Sequence, residues 1–129
     1  MKAQVTVITL LTNDVPRMTR FYRDVLGFPT IVDSEEYVEF ANSGVRLSIC
    51  SKSLMAANTN GHPSYSEELR GQALELCFPC VSPEQVHIAY ENIIANGGTA
   101  IRGPALMPWG HTVAFFADPE GNIHSIYAE

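Results

Sequence analysis

The apolar positions change period along the chain, and each change marks an element. Residues 5–11 form a β-branched, apolar run of strand length. Asn13-Asp14 and Pro16 then supply a helix cap and first turn. Val15, Met18, Phe21, Tyr22, Val25 and Leu26 recur at helical spacing until Gly27 ends the pattern. Three strands are predicted over 29–33, 37–41 and 45–50, joined by the turns Ser34-Glu35-Glu36 and Asn42-Ser43-Gly44. Residues 51–72, richer in Ser, Asn, Gly and charge, read as a connection with room for a short helical turn.

The same plan then starts again. A strand is predicted over 73–80, and Ser82-Pro83-Glu84-Gln85 combines an early-helix proline with capping-box spacing. Val86, Ala89, Tyr90, Ile93 and Ile94 form the apolar stripe of a helix closed by Asn96-Gly97-Gly98. Strands follow at about 99–103, 111–117 and 122–128, with Asp118-Pro119-Glu120-Gly121 as a tight turn. Adding 68 carries Leu10 to Phe78, Tyr22 to Tyr90 and Leu26 to Ile94, while adding 77 carries Gly44 to Gly121. This agreement of order and spacing points to a duplicated unit. The expected fold is α+β, two βαβββ modules (residues 4–50 and 73–128) in one domain. Each sheet is covered by a helix on one face, and the other faces form a cleft.

Composition narrows the function. A chain of 129 residues leaves little room for a second independent core. The net charge of −6, with basic residues scattered except for Arg17, Arg20 and Arg23 on the first helix, argues against nucleic acid as a partner. No apolar run approaches the ~20 residues of a membrane span, and the N-terminus lacks a signal-peptide pattern, so a cytoplasmic location with no membrane partner is expected. Three cysteines in such a chain do not suggest a disulfide framework.

Thr12-Asn13-Asp14-Val15 followed by Arg20-Phe21-Tyr22-Arg23-Asp24-Val25-Leu26-Gly27-Phe28 resembles the opening signature of the vicinal oxygen chelate superfamily. Pro108-Trp109-Gly110 and Asp118-Pro119-Glu120-Gly121-Asn122 resemble its closing signature. That superfamily includes glyoxalase I, extradiol dioxygenases, fosfomycin-resistance enzymes and bleomycin-resistance binding proteins, so the fold alone does not choose between metal enzyme and metal-free binder. The resemblance implies metal ligands on the first and last strand of each module. Those positions fall on Val7, Ser48, Glu75 and Ser125. Val7 has no donor atom, the serine hydroxyls are poor ligands beside His, Cys or carboxylate, and Glu75 alone does not hold a metal. A register slip does not rescue the site, because no histidine precedes His62. No metal and no cofactor are expected.

Glu75 interrupts the apolar run Ala73-Leu74-Glu75-Leu76 and is expected to point into a partly closed cavity. There it meets a cationic or hydrogen-bonding ligand group, acts as a base, or pairs with Arg46 or Arg102. Trp109 and Tyr127 offer aromatic surface, and Ser48 and Ser125 add hydroxyls; His111 begins the strand that by the resemblance lines the cleft, where it contacts the ligand or is an exposed strand-end histidine. His124, alternating with Ser125, should face away from the cleft, and His87 belongs to the polar side of its helix. Cys77 and Cys80 have the spacing of a redox pair, but the helix start lies beyond both, and on a strand they face opposite sides. The expected function is a metal-independent small-molecule binder of bleomycin-resistance character, acting as a homodimer, as members of this family commonly do. The alternatives are a glyoxalase-type lyase or isomerase, or a dioxygenase-like enzyme, with a relocated metal or with Glu75 as base; a third reading is a thiol oxidoreductase.

Overall fold

The computed structural model describes residues 1, 3–68 and 71–129; Lys2 and residues 69 and 70 of the expected connection lie outside the described residues. The chain divides into two units, Met1–Glu68 and Leu69–Glu129.

The first unit runs β1 (Val7–Thr12), α1 (Val15–Arg20), β2 (Thr30–Asp33), β3 (Tyr37–Phe40), β4 (Arg46–Ser51) and α2 (Lys52–Asn58). Asp14 caps α1 by accepting the Arg17 N–H at 3.1 Å. Sequence periodicity predicts one helix to Leu26, but after Arg20 the chain widens into a π-helical turn over Phe21–Val25. Its bond from Leu26 N–H to the Phe21 carbonyl is 3.1 Å. The wider turn brings two consecutive aromatics, Phe21 and Tyr22, into the core. Gly27, with φ of 87°, then reverses the chain, a conformation that costs a side-chain-bearing residue.

The sheet order is β1-β4-β3-β2, with β1 parallel to β4 and the other pairs antiparallel. Leu10, Val38, Phe40, Leu47 and Ile49 alternate onto the face that α1 covers and are buried with Met18, Phe21 and Tyr22. Each such large side chain contributes roughly 1.5–3 kcal/mol on burial. The opposite face carries Val7, Thr9, Leu11, Tyr37, Glu39, Arg46, Ser48 and Cys50.

The second unit contains β5 (Cys77–Pro79), α3 (Pro83–Ala95), β6 (Thr99–Leu106), β7 (Thr112–Ala117) and β8 (Ile123–Ala128). Its order, β5-β8-β7-β6, repeats that of the first unit, with β5 parallel to β8. Ser82 caps α3 through the Gln85 N–H, while the Gln85 amide oxygen reaches one residue further back, to the Val81 N–H at 2.6 Å. Val86 and Ile93 of α3 are buried, and α3 packs on β6, β7 and β8. His87 is exposed, as its place on the helix predicts. Two four-stranded mixed sheets with helices therefore bear out the α+β reading and the βαβββ plan. Among the described residues no helix is long and apolar enough to cross a membrane.

One element departs from its prediction. The strand expected over 73–80 is regular only at Cys77–Pro79. Ahead of it only the Ser125 N–H to Leu76 carbonyl bond, 3.0 Å, continues the ladder, and side chains take the place of the rest. The Gln72 amide bonds the Leu74 and Ile123 carbonyls and accepts the Ile123 N–H, and His124 Nδ1 accepts the Leu76 N–H at 3.2 Å. Satisfied this way, 72–76 runs beside β8 without joining the sheet regularly.

Candidate functional site

In the first unit the face opposite α1 holds a connected polar network. Ser48, with 0% of its surface exposed, shares a 2.7 Å hydrogen bond with Thr9, its partner across the β1–β4 ladder. On the other side Ser48 pairs in register with Glu39 and interacts with the Tyr37 hydroxyl. Glu39 is 7% exposed, and both of its oxygens are engaged. Oε2 accepts the Tyr37 hydroxyl at 2.7 Å and Oε1 accepts Arg46 Nη1–H at 2.8 Å. A carboxylate this far from water is costly to bury without such hydrogen-bond and ion-pair partners. Burial, and then the bond to Glu39, push the Tyr37 hydroxyl above its ordinary pKa.

In the second unit the equivalent face, opposite α3, is built on the row Cys77, Ser125 and Phe115. The Ser125 hydroxyl donates to Cys77 Sγ at 3.1 Å, and that thiol lies 3.6 Å from Glu75 Oε1 as its acceptor. Two residues along β8, Tyr127 stacks on His111, with ring centroids 5.8 Å apart and planes 14° from parallel. Trp109 sits in the β6–β7 turn, 63% exposed. That turn is closed by bonds from Met107 N–H to the His111 carbonyl and from Gly110 N–H to the Met107 carbonyl.

The predicted residues are therefore placed as follows. Ser125, Tyr127 and His111 share one face of the second sheet, with Glu75 and Cys77 beside them, and Ser48 occupies the matching place in the first sheet. Glu75 corrects its prediction in two respects. It is exposed rather than enclosed, because its segment stays out of the regular sheet, and its neighbour is the Cys77 thiol rather than Arg46 or Arg102. Arg46 is bound instead to Glu39, a residue that sequence reasoning passed over.

His124 faces the helix side as expected and is part of the core. It is 0% exposed, with its ring against Phe78 and Phe116, and because Nδ1 accepts from Leu76 the proton belongs on Nε2, 3.6 Å from Asp118 Oδ2. Asp118 also accepts the Glu120 and Asn122 N–H groups, so the closing signature Asp-Pro-Glu-Gly-Asn builds a turn. Cys77 and Cys80 do not form a redox pair here. Three residues of extended chain span about 10 Å, beyond the roughly 7 Å limit for a disulfide. Burial also raises the Cys80 thiol, away from reactivity.

The four positions that resemblance assigns to a metal do not fit one. Val7 offers no donor, the Ser48 and Ser125 hydroxyls are bonded to Thr9 and Cys77, and Glu75 is the one strong oxygen donor left. Among the described residues no three His, Cys, Asp or Glu side chains are grouped as a metal ion requires.

Comparison with known proteins agrees with this architecture. The chain is 28% identical over 123 residues to the uncharacterized protein YraH of Bacillus subtilis (strain 168), covering 93% of this chain and 94% of the relative. It superposes with a TM-score of 0.87 and 23% identity on a glyoxalase/bleomycin resistance protein/dioxygenase family enzyme from Burkholderia phytofirmans PsJN, over 98% of both chains. A glyoxalase/bleomycin resistance protein/dioxygenase from Nocardioides gives a TM-score of 0.81 and 26% identity, over 99% of this chain and 84% of that one. With residues 4–125 matching the family as a whole, the chain belongs to the Glyoxalase/Bleomycin resistance protein/Dioxygenase superfamily.

Proposed function

We propose that this chain is a metal-independent binder of a small organic molecule, with Ser48, Glu75, Trp109, His111, Ser125 and Tyr127 as its candidate ligand-contacting residues. The observation that carries the reading is the state of the two serines. Each stands where the family resemblance implies a metal ligand, and each has its hydroxyl committed to a neighbouring side chain. The stacked His111–Tyr127 pair and the exposed Trp109 add flat apolar surface with polar edges, which suits an organic ligand. The protein works as a cytoplasmic homodimer in this reading. The edge strand β6 and its turn expose Ile101, Leu106 and Trp109, which a symmetric partner would cover.

Trp109 is the only tryptophan, so ligand binding should change intrinsic fluorescence in a saturable way. Compounds that raise the melting temperature in a thermal-shift screen supply the titrants. Glu75→Gln should weaken the response by about 1–3 kcal/mol while leaving stability nearly unchanged, because an exposed carboxylate bonded only to a thiol contributes little to the fold. Normal binding with early melting would make Glu75 scaffolding and remove it from the site.

A further inference from the structure

We propose that Arg46 is an oxyanion-recognition residue, and that the bound molecule presents a carboxylate or a phosphate to it. This rests on the small-molecule reading above and names the chemistry of the ligand.

Arg46 opens β4 on the face opposite α1, beside Val7 in the β1–β4 ladder and two residues before Ser48. Its guanidinium is held from one side only. Nη1 donates to Glu39 Oε1 at 2.8 Å, and no described residue accepts from Nε or Nη2. The side chain is half exposed, whereas Glu39 behind it is nearly buried. A surface ion pair leaves both partners mobile in water. Here the carboxylate is fixed by the sheet and by the Tyr37 hydroxyl, with Ser48 and Thr9 continuing the network, and the guanidinium is fixed by the carboxylate.

The Nε–H and Nη2–H groups are the donors that meet an oxyanion in a planar, two-point fashion, and immobilising them in advance reduces the entropy lost on binding. Among the described residues of strands β1, β3 and β4 on this face, Glu39 is the one acid, and both of its oxygens are already engaged. A cation would meet Arg46 there and be repelled. A neutral polar group would gain only an ordinary hydrogen bond. The chemistry selects an anion.

The test is an NMR titration of the full-length 15N-labelled protein, following the arginine Nε–Hε signals. The Arg46 signal is the one missing from Arg46→Gln. Benzoate and phenyl phosphate are the probes, with benzamide as the neutral control of matching shape. We expect the Arg46 signal to move saturably with one or both oxyanions and not with benzamide, and the stronger of the two names the group. Arg46→Lys keeps the charge but loses the planar fork, and should bind at least about fivefold more weakly.

Removing Arg46 alone strands the buried Glu39 carboxylate, so Glu39→Gln with Arg46→Gln, neutral on both sides, is measured as well. An unmoved Arg46 signal at millimolar probe would overturn the inference. So would equal movement of the Arg20, Arg23 and Arg46 signals, reproduced by sodium chloride. If a compound from the thermal-shift screen binds wild type and the double variant equally, the oxyanion assignment falls and the binding reading stands. If no screened compound and neither oxyanion binds, both fall.

Discussion

The two units place the same strands in the same order and then use one face differently. In the first, the row Thr9, Ser48 and Glu39 crosses three strands as hydroxyl, hydroxyl and carboxylate, with Tyr37 and Arg46 closing the network. In the second, the register-equivalent row is Cys77, Ser125 and Phe115, and the polar link leaves the row through the thiol to the exposed Glu75 carboxylate. The helix-facing sides differ in the opposite sense. Leu47 in the first unit corresponds to the buried His124 in the second, so polar chemistry lies on the helix-facing side of one sheet and on the side away from the helix in the other. The shared architecture fixes the backbone, while the chemistry depends on which side chains each copy carries at matched positions.

The sharpest way to break this comparison is to give the second unit the residue of the first. His124→Leu keeps an apolar side chain of similar size but leaves the Leu76 N–H and Asp118 without the imidazole. It should cost about 2–3 kcal/mol, read by urea unfolding, since a buried group loses its acceptor and a charged one its donor. A variant as stable as wild type would make His124 a passive core residue and erase the contrast.

The paired serines give a smaller effect. Ser48→Ala should cost about 1 kcal/mol, because it removes a buried hydroxyl from a network, and Ser125→Ala about half as much, because sulfur is a weak acceptor. Equal losses would mean that the two rows are energetically alike. Smallest is the alkaline response of the first unit. The folded-state pKa of Tyr37 lies above its unfolded value of about 10, so its contribution to stability is whole below pH 10 and is lost as pH rises through the folded value. The melting temperature should therefore fall more steeply above about pH 10 in wild type than in Tyr37→Phe, with no such difference near neutrality.

Much of this was legible before any coordinates. Period changes gave the order of strands and helices, and the offset of 77 put Ser48 and Ser125 at matching register positions, each beside the first strand of its unit. Three features were not legible, for physical reasons. The apolar run around Glu75 reads as a strand, but whether backbone or side chains satisfy its hydrogen bonds depends on Gln72 and on His124, which lies far along the chain. Glu39, in the short strand Tyr-Val-Glu-Phe, looks like a solvent-facing alternate. Its burial depends on the hairpin register that pairs it with Ser48 and sets Arg46 diagonally across. Pairing the strands either side of Asn42-Ser43-Gly44 residue by residue would have exposed that juxtaposition. The π-helical turn at Phe21 has no signal in a helical stripe beyond two adjacent buried aromatics.

The central claim, binding without a metal, is tested most directly by one titration. A compound that raises the melting temperature is added to protein treated with a chelator and verified by elemental analysis, and Trp109 fluorescence is followed before and after zinc, nickel, iron or manganese is restored. The account predicts one saturable curve, with a dissociation constant that changes by less than about twofold, well under the tenfold that 1.4 kcal/mol represents. Binding that vanishes with the chelator and returns with about one metal per chain would contradict it, because structural and catalytic sites bind such ions through strong ligands.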